Sequence, residues 1–219
     1  MKKLFQTLAF SFSILFYIAG YGQIKNENQR YIFFFHNKFV EENDLNVAHP
    51  EYGKAEYNEI LESYRKDNFI VFSEKRKKNT NAVDYAQKIV KQIKALIKKG
   101  IPSNHITVIG TSKGGYIAQF VSTFLSNPDL NFVFIGCFMD TDIQQITDIN
   151  WCGNILTIYE KSDIYGVSAI KRKETSKCKI DHFKEIELNT GLKHGFLYKA
   201  ADNWIAPSKK WANGNYELN

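Results

Sequence analysis

An apolar run, His105-Ile-Thr-Val-Ile109, ends in Gly110-Thr111-Ser112-Lys113-Gly114, and residues at helical spacing follow from Tyr116 to Leu125. A strand that becomes a helix within a few residues leaves a chain few options. The helix folds back along the strand it has just left, and the following strand then runs parallel to the first. Positions 110 and 114 are glycine, and larger residues there would jam the helix against the strand.

The rest of the chain repeats this alternation. Tyr31 to His36, Phe69 to Phe72, His105 to Ile109, Asn131 to Ile135, Ile155 to Tyr159 and Lys184 to Leu188 read as short strands, and the aromatic runs among them as buried ones. Tyr57, Ile60, Leu61 and Tyr64 predict an amphipathic helix over about 51–66. Val83, Ala86, Ile89, Val90, Ile93, Leu96 and Ile97 predict another from Asn81 to Lys99, capped by Thr80 or Asn81 and ended by Gly100 and Pro102. Trp204 and Trp211 belong to a closing helical segment. Segment 38–50 reads as a polar loop. It and segment 164–181 are the only places for a small cover, and substrate specificity is expected to lie there. The expected fold is α/β, a mainly parallel sheet of about six strands with helices on both faces.

At 219 residues, 44% of them apolar and 15% aromatic, the chain supports one ordinary domain with a real core and is not of disordered composition. Residues 1–22 read as a signal peptide. Lys2 and Lys3 precede an apolar stretch from Leu4 to Ala19, and Gly20 and Gly22 suit a cut before Gln23. The stretch is too short and too diluted by polar residues for stable membrane insertion. The expectation is an exported protein, periplasmic or secreted, with residues 23–219 as one domain. Removing Lys2 and Lys3 takes the formal charge from +6 to 6 − 2 = +4. The densest basic run, Lys75-Arg76-Lys77-Lys78, reads as a solvated loop, and no recognition motif accompanies it, so no nucleic-acid partner is expected. Of three cysteines, Cys137 is expected to be buried, and a Cys152–Cys178 bridge is conceivable in an exported chain. Metal-ligand spacings and a phosphate loop are missing, so no metal or cofactor is expected.

The strand–turn–helix setting of Ser112 is that of a nucleophile elbow, in which a strained turn lifts the serine above the sheet. An incidental serine in a Gly-rich turn is the plainer alternative. A serine hydroxyl needs a base. Of five histidines, His105 and His182 precede strands and fall at the far end of the sheet, and His49 lies in the polar loop. His36 ends the first strand and is assigned to shaping the loop that follows. His194 follows the last strand, in Thr190-Gly191-Leu192-Lys193-His194-Gly195, and reaches the same edge as Ser112. Asp163, after the fifth strand, is the expected acid; Glu160, Asp140 and Asp142 are its rivals. The backbone N–H groups of Lys113 and Asn37 are the expected oxyanion donors, unless Asn37 simply begins a turn.

These features together resemble the α/β-hydrolase superfamily, and more narrowly small bacterial members without a large cap domain. The similar stretches are Tyr31 to His36, Val83 to Gly100, Ile106 to Gly115, Asn131 to Cys137 and Thr190 to Tyr198. Many relatives carry His-Gly where this chain has His36-Asn37, and Asn tolerates a left-handed turn better than most residues. The resemblance implies Ser112, Asp163 and His194 as a triad that cleaves an ester-like bond through an acyl-enzyme. The substrate would be a small-molecule, carbohydrate or lipid ester. An acyltransferase on the same triad, or a silent hydrolase fold used as a binding module, are the alternatives. The oligomeric state is left open by the sequence.

Overall fold

The computed structural model describes residues 28–219, so the expected signal segment 1–22 lies outside the described residues. The elements in chain order are β1 (Tyr31–Phe35), α1 (Lys38–Glu42), β2 (Ala48–His49), β3 (Gly53–Lys54), α2 (Tyr57–Arg65), β4 (Ile70–Phe72), α3 (Ala82–Lys98), β5 (Ile106–Thr111), α4 (Lys113–Leu125), β6 (Asn131–Ile135), α5 (Asp142–Gln145), β7 (Asn154–Glu160), α6 (Ile170–Thr175), β8 (Phe183–Leu188) and α7 (Asp202–Ala212). Short 3-10 turns cover Ser103–His105 and Lys193–Tyr198.

Six strands form one parallel sheet in the order β4-β1-β5-β6-β7-β8. Successive side chains on a strand point to opposite faces, and β1 shows the consequence. Ile32 and Phe34 pack with Tyr57, Ile60 and Tyr64 of α2 and with Trp204 and Trp211 of α7. Phe33 and Phe35 pack with Ile89 and Ile93 of α3 and with Ile117 and Val121 of α4. Both faces of the sheet are therefore covered, as a parallel sheet requires.

The α3 helix is placed as its apolar stripe predicts. Of the two expected caps, Asn81 acts: its side chain accepts from the N–H groups of Val83 and Asp84. The segment before α2 departs from expectation. Residues 38–50 are not a plain polar loop, because Asn37 caps α1 and residues 48–54 pair back on themselves as the β2–β3 hairpin. The hairpin turn holds Gly53 at φ +73° and stacks Tyr52 on His49 at 4.4 Å, so α2 starts at Tyr57 rather than near 51. The basic run is also corrected in one place. Lys75, Lys77 and Lys78 are exposed, but Arg76 is buried, with Glu41 as its partner at 2.9 Å. Cys137 is buried and free, and Cys152 and Cys178 form a disulfide with Cα atoms 5.2 Å apart.

Candidate active site

The topology makes a crevice before any side chain is considered. After β1 the chain moves outward to β4, then returns to β5 on the other side of β1. The carboxyl ends of β1 and β5 flank this switch, which is where open parallel sheets bind ligands. Ser112 directly follows β5, and Asn37 follows β1 by two residues.

Ser112 has φ +50° and ψ −121°, a conformation that non-glycine residues rarely adopt and that neighbouring structure must enforce. Two glycines permit that enforcement. A Cβ at Gly110 would run into the Gly114 carbonyl. A Cβ at Gly114 would run into the carbonyls of Phe35 and His36, so the first turn of α4 rests on the chain leaving β1. The Ser112 N–H donates to the Ile135 carbonyl at 2.9 Å, which ties the turn to β6 as well.

The structure brings Ser112, His194 and Asp163 together. The Nε2 of His194 lies 2.9 Å from Ser112 Oγ, and its Nδ1 lies 2.6 Å from Asp163 Oδ2. An ionised carboxylate only accepts, so Nδ1–H donates to Asp163 and Nε2 is left to accept the serine O–H. The Asp163 side chain is fully covered, and its second oxygen accepts the Tyr165 N–H at 2.9 Å. The ring of Tyr165 stands edge-on to that of His194, with centroids 5.4 Å apart. On the other side, Gly195 leaves room for Tyr52: a Cβ there would lie 2.7 Å from its ring.

The rivals for the acid are engaged elsewhere. Glu160 accepts from Ser162, Thr190 and Gly191. Burial alone would raise its pKa, but the hydrogen bonds from Thr190 and Ser162 outweigh it and hold the carboxyl below the usual range. Asp140 is exposed and pairs with Lys171, while Asp142 accepts the Tyr116 hydroxyl at 2.6 Å. Among the other histidines, His105 contacts the Gln29 carbonyl and His182 stacks on Tyr216, both at the amino ends of strands.

Lys113 is the first residue of α4, so its N–H has no acceptor within the helix. Asn37 is not in a left-handed conformation. It has φ −66° and ψ 174°, and its side chain accepts the Val40 N–H to cap α1. The expected backbone freedom of Asn is therefore unused, and its capping chemistry is used instead. His36 is buried. Its Nδ1–H donates to the Asn37 carbonyl at 2.8 Å, and its Nε2 accepts the Arg76 N–H at 3.0 Å. Burial, with the Arg76 charge adding to it, pushes the His36 pKa down to about 3.

The sequence does not reveal the ionic cluster beneath this loop. Glu41 is fully buried and binds both Arg76 at 2.9 Å and Lys113 Nζ at 2.5 Å. Arg76 in turn donates to the His36 carbonyl at 2.5 Å, and Lys113 Nζ donates to the Thr80 carbonyl at 2.8 Å. The only outward sign was the position of Glu41 four residues after Asn37 on α1, which does not reveal a burial partner 35 residues away.

A cleft of about 530 Å3 opens onto Ser112 and His194. Its walls are chiefly α4 and segment 139–146, not the two loops expected to set specificity; from those come only Lys38 and Tyr165. Among the described residues, no group of three or more His, Cys, Asp or Glu is placed to hold a metal ion, and no helix is long and apolar enough to cross a membrane.

Sheet order, elbow and crevice together define the fold of the α/β hydrolases, and solved structures agree. A protein of unknown function from Agrobacterium tumefaciens, described as a candidate α/β hydrolase, superimposes with a TM-score of 0.58 at 15% identity, over 88% of this chain and 89% of that one. A lipase-esterase related protein from Clostridium acetobutylicum gives 0.54 at 16% identity, over 85% and 96%. An esterase/lipase from an uncultured bacterium gives 0.53 at 11% identity, over 86% and 76%. No family model matches the chain, and no curated protein matches it.

Proposed function

We propose that the protein is a serine hydrolase that cleaves an ester-like bond through an acyl-enzyme on Ser112. The observation that carries this reading is the continuous line Ser112 Oγ, His194 Nε2, His194 Nδ1, Asp163 Oδ2, with steps of 2.9 and 2.6 Å. In the first half-reaction His194 takes the hydroxyl proton while Ser112 Oγ bonds to the carbonyl carbon. The N–H groups of Lys113 and Asn37 face the negative oxygen that forms. The bond from carbon to the leaving alcohol oxygen then breaks, and His194 returns its proton to that oxygen. In the second half-reaction His194 deprotonates a water, which attacks the acyl carbon, and Ser112 leaves with the proton restored. The fold likeness to an esterase/lipase and a lipase-esterase related protein supports the same class.

The test is Ser112→Ala. Hydrolysis of p-nitrophenyl acetate should vanish while the circular dichroism spectrum is unchanged, and a fluorophosphonate probe should label the wild type alone. Full activity in the variant sinks the reading. We also propose export directed by residues 1–22, a reading supported by the Cys152–Cys178 disulfide, which persists in oxidising compartments. Loss of the protein from the extracytoplasmic fraction when residues 2–22 are deleted tests it.

A further inference from the structure

We propose that the cleft beside Ser112 holds the acyl chain of the substrate, and that this chain is apolar and of medium length. The inference rests on the serine-hydrolase reading and names its substrate class. Three observations carry it.

The first is the arrangement of the wall. Ser112, Tyr116 and Phe120 recur every four residues at the start of and along α4, so they lie on one face of the helix. At 1.5 Å rise per residue the row from Ser112 to Phe120 is about 12 Å long. It starts at the nucleophile and leads away from it. Ala82, Met139 and Ile146 close the other sides, all of them apolar.

The second is the state of the polar groups that border the cleft. The Tyr116 hydroxyl is committed to Asp142, so the ring rather than the O–H forms the wall. Asp142 also takes the Met139 N–H at 2.9 Å. The Lys113 ammonium is held by Glu41 and the Thr80 carbonyl. A sugar or a peptide lying along α4 would give up water for Tyr116 and Lys113 groups that are already paired, a cost a hydrocarbon chain does not bear. Lys38, also on the cleft, is exposed.

The third is that the wall is built in advance. The guanidinium of Arg172, a buried residue of α6, donates to the carbonyls of Asp142 at 2.6 Å and Ile146 at 3.1 Å. These bonds pin the ends of α5 and hold Ile146 in place. A preformed apolar site spends no binding energy on ordering its own walls.

The experiment is the acyl-length profile of p-nitrophenyl esters from acetate through butyrate and octanoate to palmitate. The expected kcat/KM rises on the order of fifty-fold from acetate to octanoate, about half on a logarithmic scale of what full burial of the added methylenes would give. Phe120→Asp and Ile146→Asn, each at a half-buried wall position, should both lower the octanoate-to-acetate ratio at least about fivefold. A profile that peaks at acetate, a preference for sugar acetates or peptides, or a length dependence that appears only in alkyl acetates overturns the acyl-chain assignment while labelling of Ser112 by a fluorophosphonate upholds the enzyme. Failure of that labelling, with no ester hydrolysed, overturns both.

Discussion

The carboxylate of Glu160 accepts both the N–H of Thr190, at 2.9 Å, and its hydroxyl, at 2.7 Å. It also accepts the Ser162 hydroxyl at 3.0 Å, so one buried group joins the loop that carries Asp163 to the loop that carries His194. A hydrogen bond of 2.6 Å between Asp163 and His194 depends on that joint, because Asp163 lies outside any helix or strand and His194 sits in a short 3-10 turn. Glu160→Gln keeps the shape but replaces an acceptor of several bonds with an amide that must also donate. The expected result is a fall in kcat of about ten- to hundredfold with KM little changed, as misplacement of catalytic groups produces. Steady-state kinetics on a single ester reads the split. A change confined to KM would show that Glu160 does not position these loops.

The proposed triad makes Asp163 the acid of His194 and leaves Asp140 an ordinary surface carboxylate. Asp163→Asn should leave the imidazole in the wrong tautomer and lower kcat by roughly 10³- to 10⁴-fold. Asp140 is exposed and pairs only with the exposed Lys171, so Asp140→Asn should stay within about twofold of the wild type. Equal losses in the two variants would refute the assignment of Asp163.

The sheet was legible because its strands are runs of aromatic and β-branched residues that chain order alone could place in parallel. The positions of Ser112 and His194 followed from the same order, since Ser112 comes directly after β5 and His194 lies six residues beyond the end of β8. What the sequence hid was of two kinds. The β2–β3 hairpin depends on a two-residue pairing too short to show a period of two. The burial of Arg76 depends on Glu41, 35 residues earlier, and three exposed lysines around it disguise the one cation that turns inward. The irregular segments 38–50 and 164–181 suggest a specificity region, yet the cleft lies along α4, where Tyr116 and Phe120 also fit the pattern of an ordinary amphipathic helix.

His36 gives the fold a dependence on pH. Its pKa is lowered to about 3 by burial and by the Arg76 charge, against an unfolded value of 6.5. The folded state keeps the ring neutral while the unfolded state takes up a proton. The stabilisation is therefore complete above pH 6.5 and is lost as pH falls toward 3. By pH 5 the loss from this one group is roughly 2 kcal/mol. Urea unfolding at pH 7 and pH 5 should show that drop in the wild type and a smaller one in His36→Asn. Equal pH dependence in both would mean that the ring is protonated in the folded protein.

The Cys152–Cys178 disulfide closes a loop with a sequence separation of 26 residues, running from the start of β7 past α6. Closing a loop of that length in the unfolded chain is worth about 3.5 kcal/mol. Reduction, or the Cys152→Ala/Cys178→Ser pair, should lower stability by about that amount in urea. An unchanged midpoint would indicate that the two thiols are not joined.

The cluster at Glu41 allows a sharper test, because its two cations differ in access to water. The side chains of Glu41 and Arg76 are fully buried, whereas that of Lys113 is 22% exposed. Burial would raise the Glu41 pKa, but its bonds to Lys113 and Arg76 prevail and hold it below the usual range. Glu41→Gln strands Arg76, whose Nη1 already has no partner, inside the protein without a counter-charge. The expected cost is about 3–5 kcal/mol, or a fall in Tm of about 10 °C. Lys113→Met should cost less, since Glu41 keeps Arg76 and the lost ammonium was the partly solvated partner. The order Glu41→Gln worse than Lys113→Met follows from burial alone. The reverse order in thermal unfolding would mean that Lys113, not Arg76, is the cation on which the carboxylate depends.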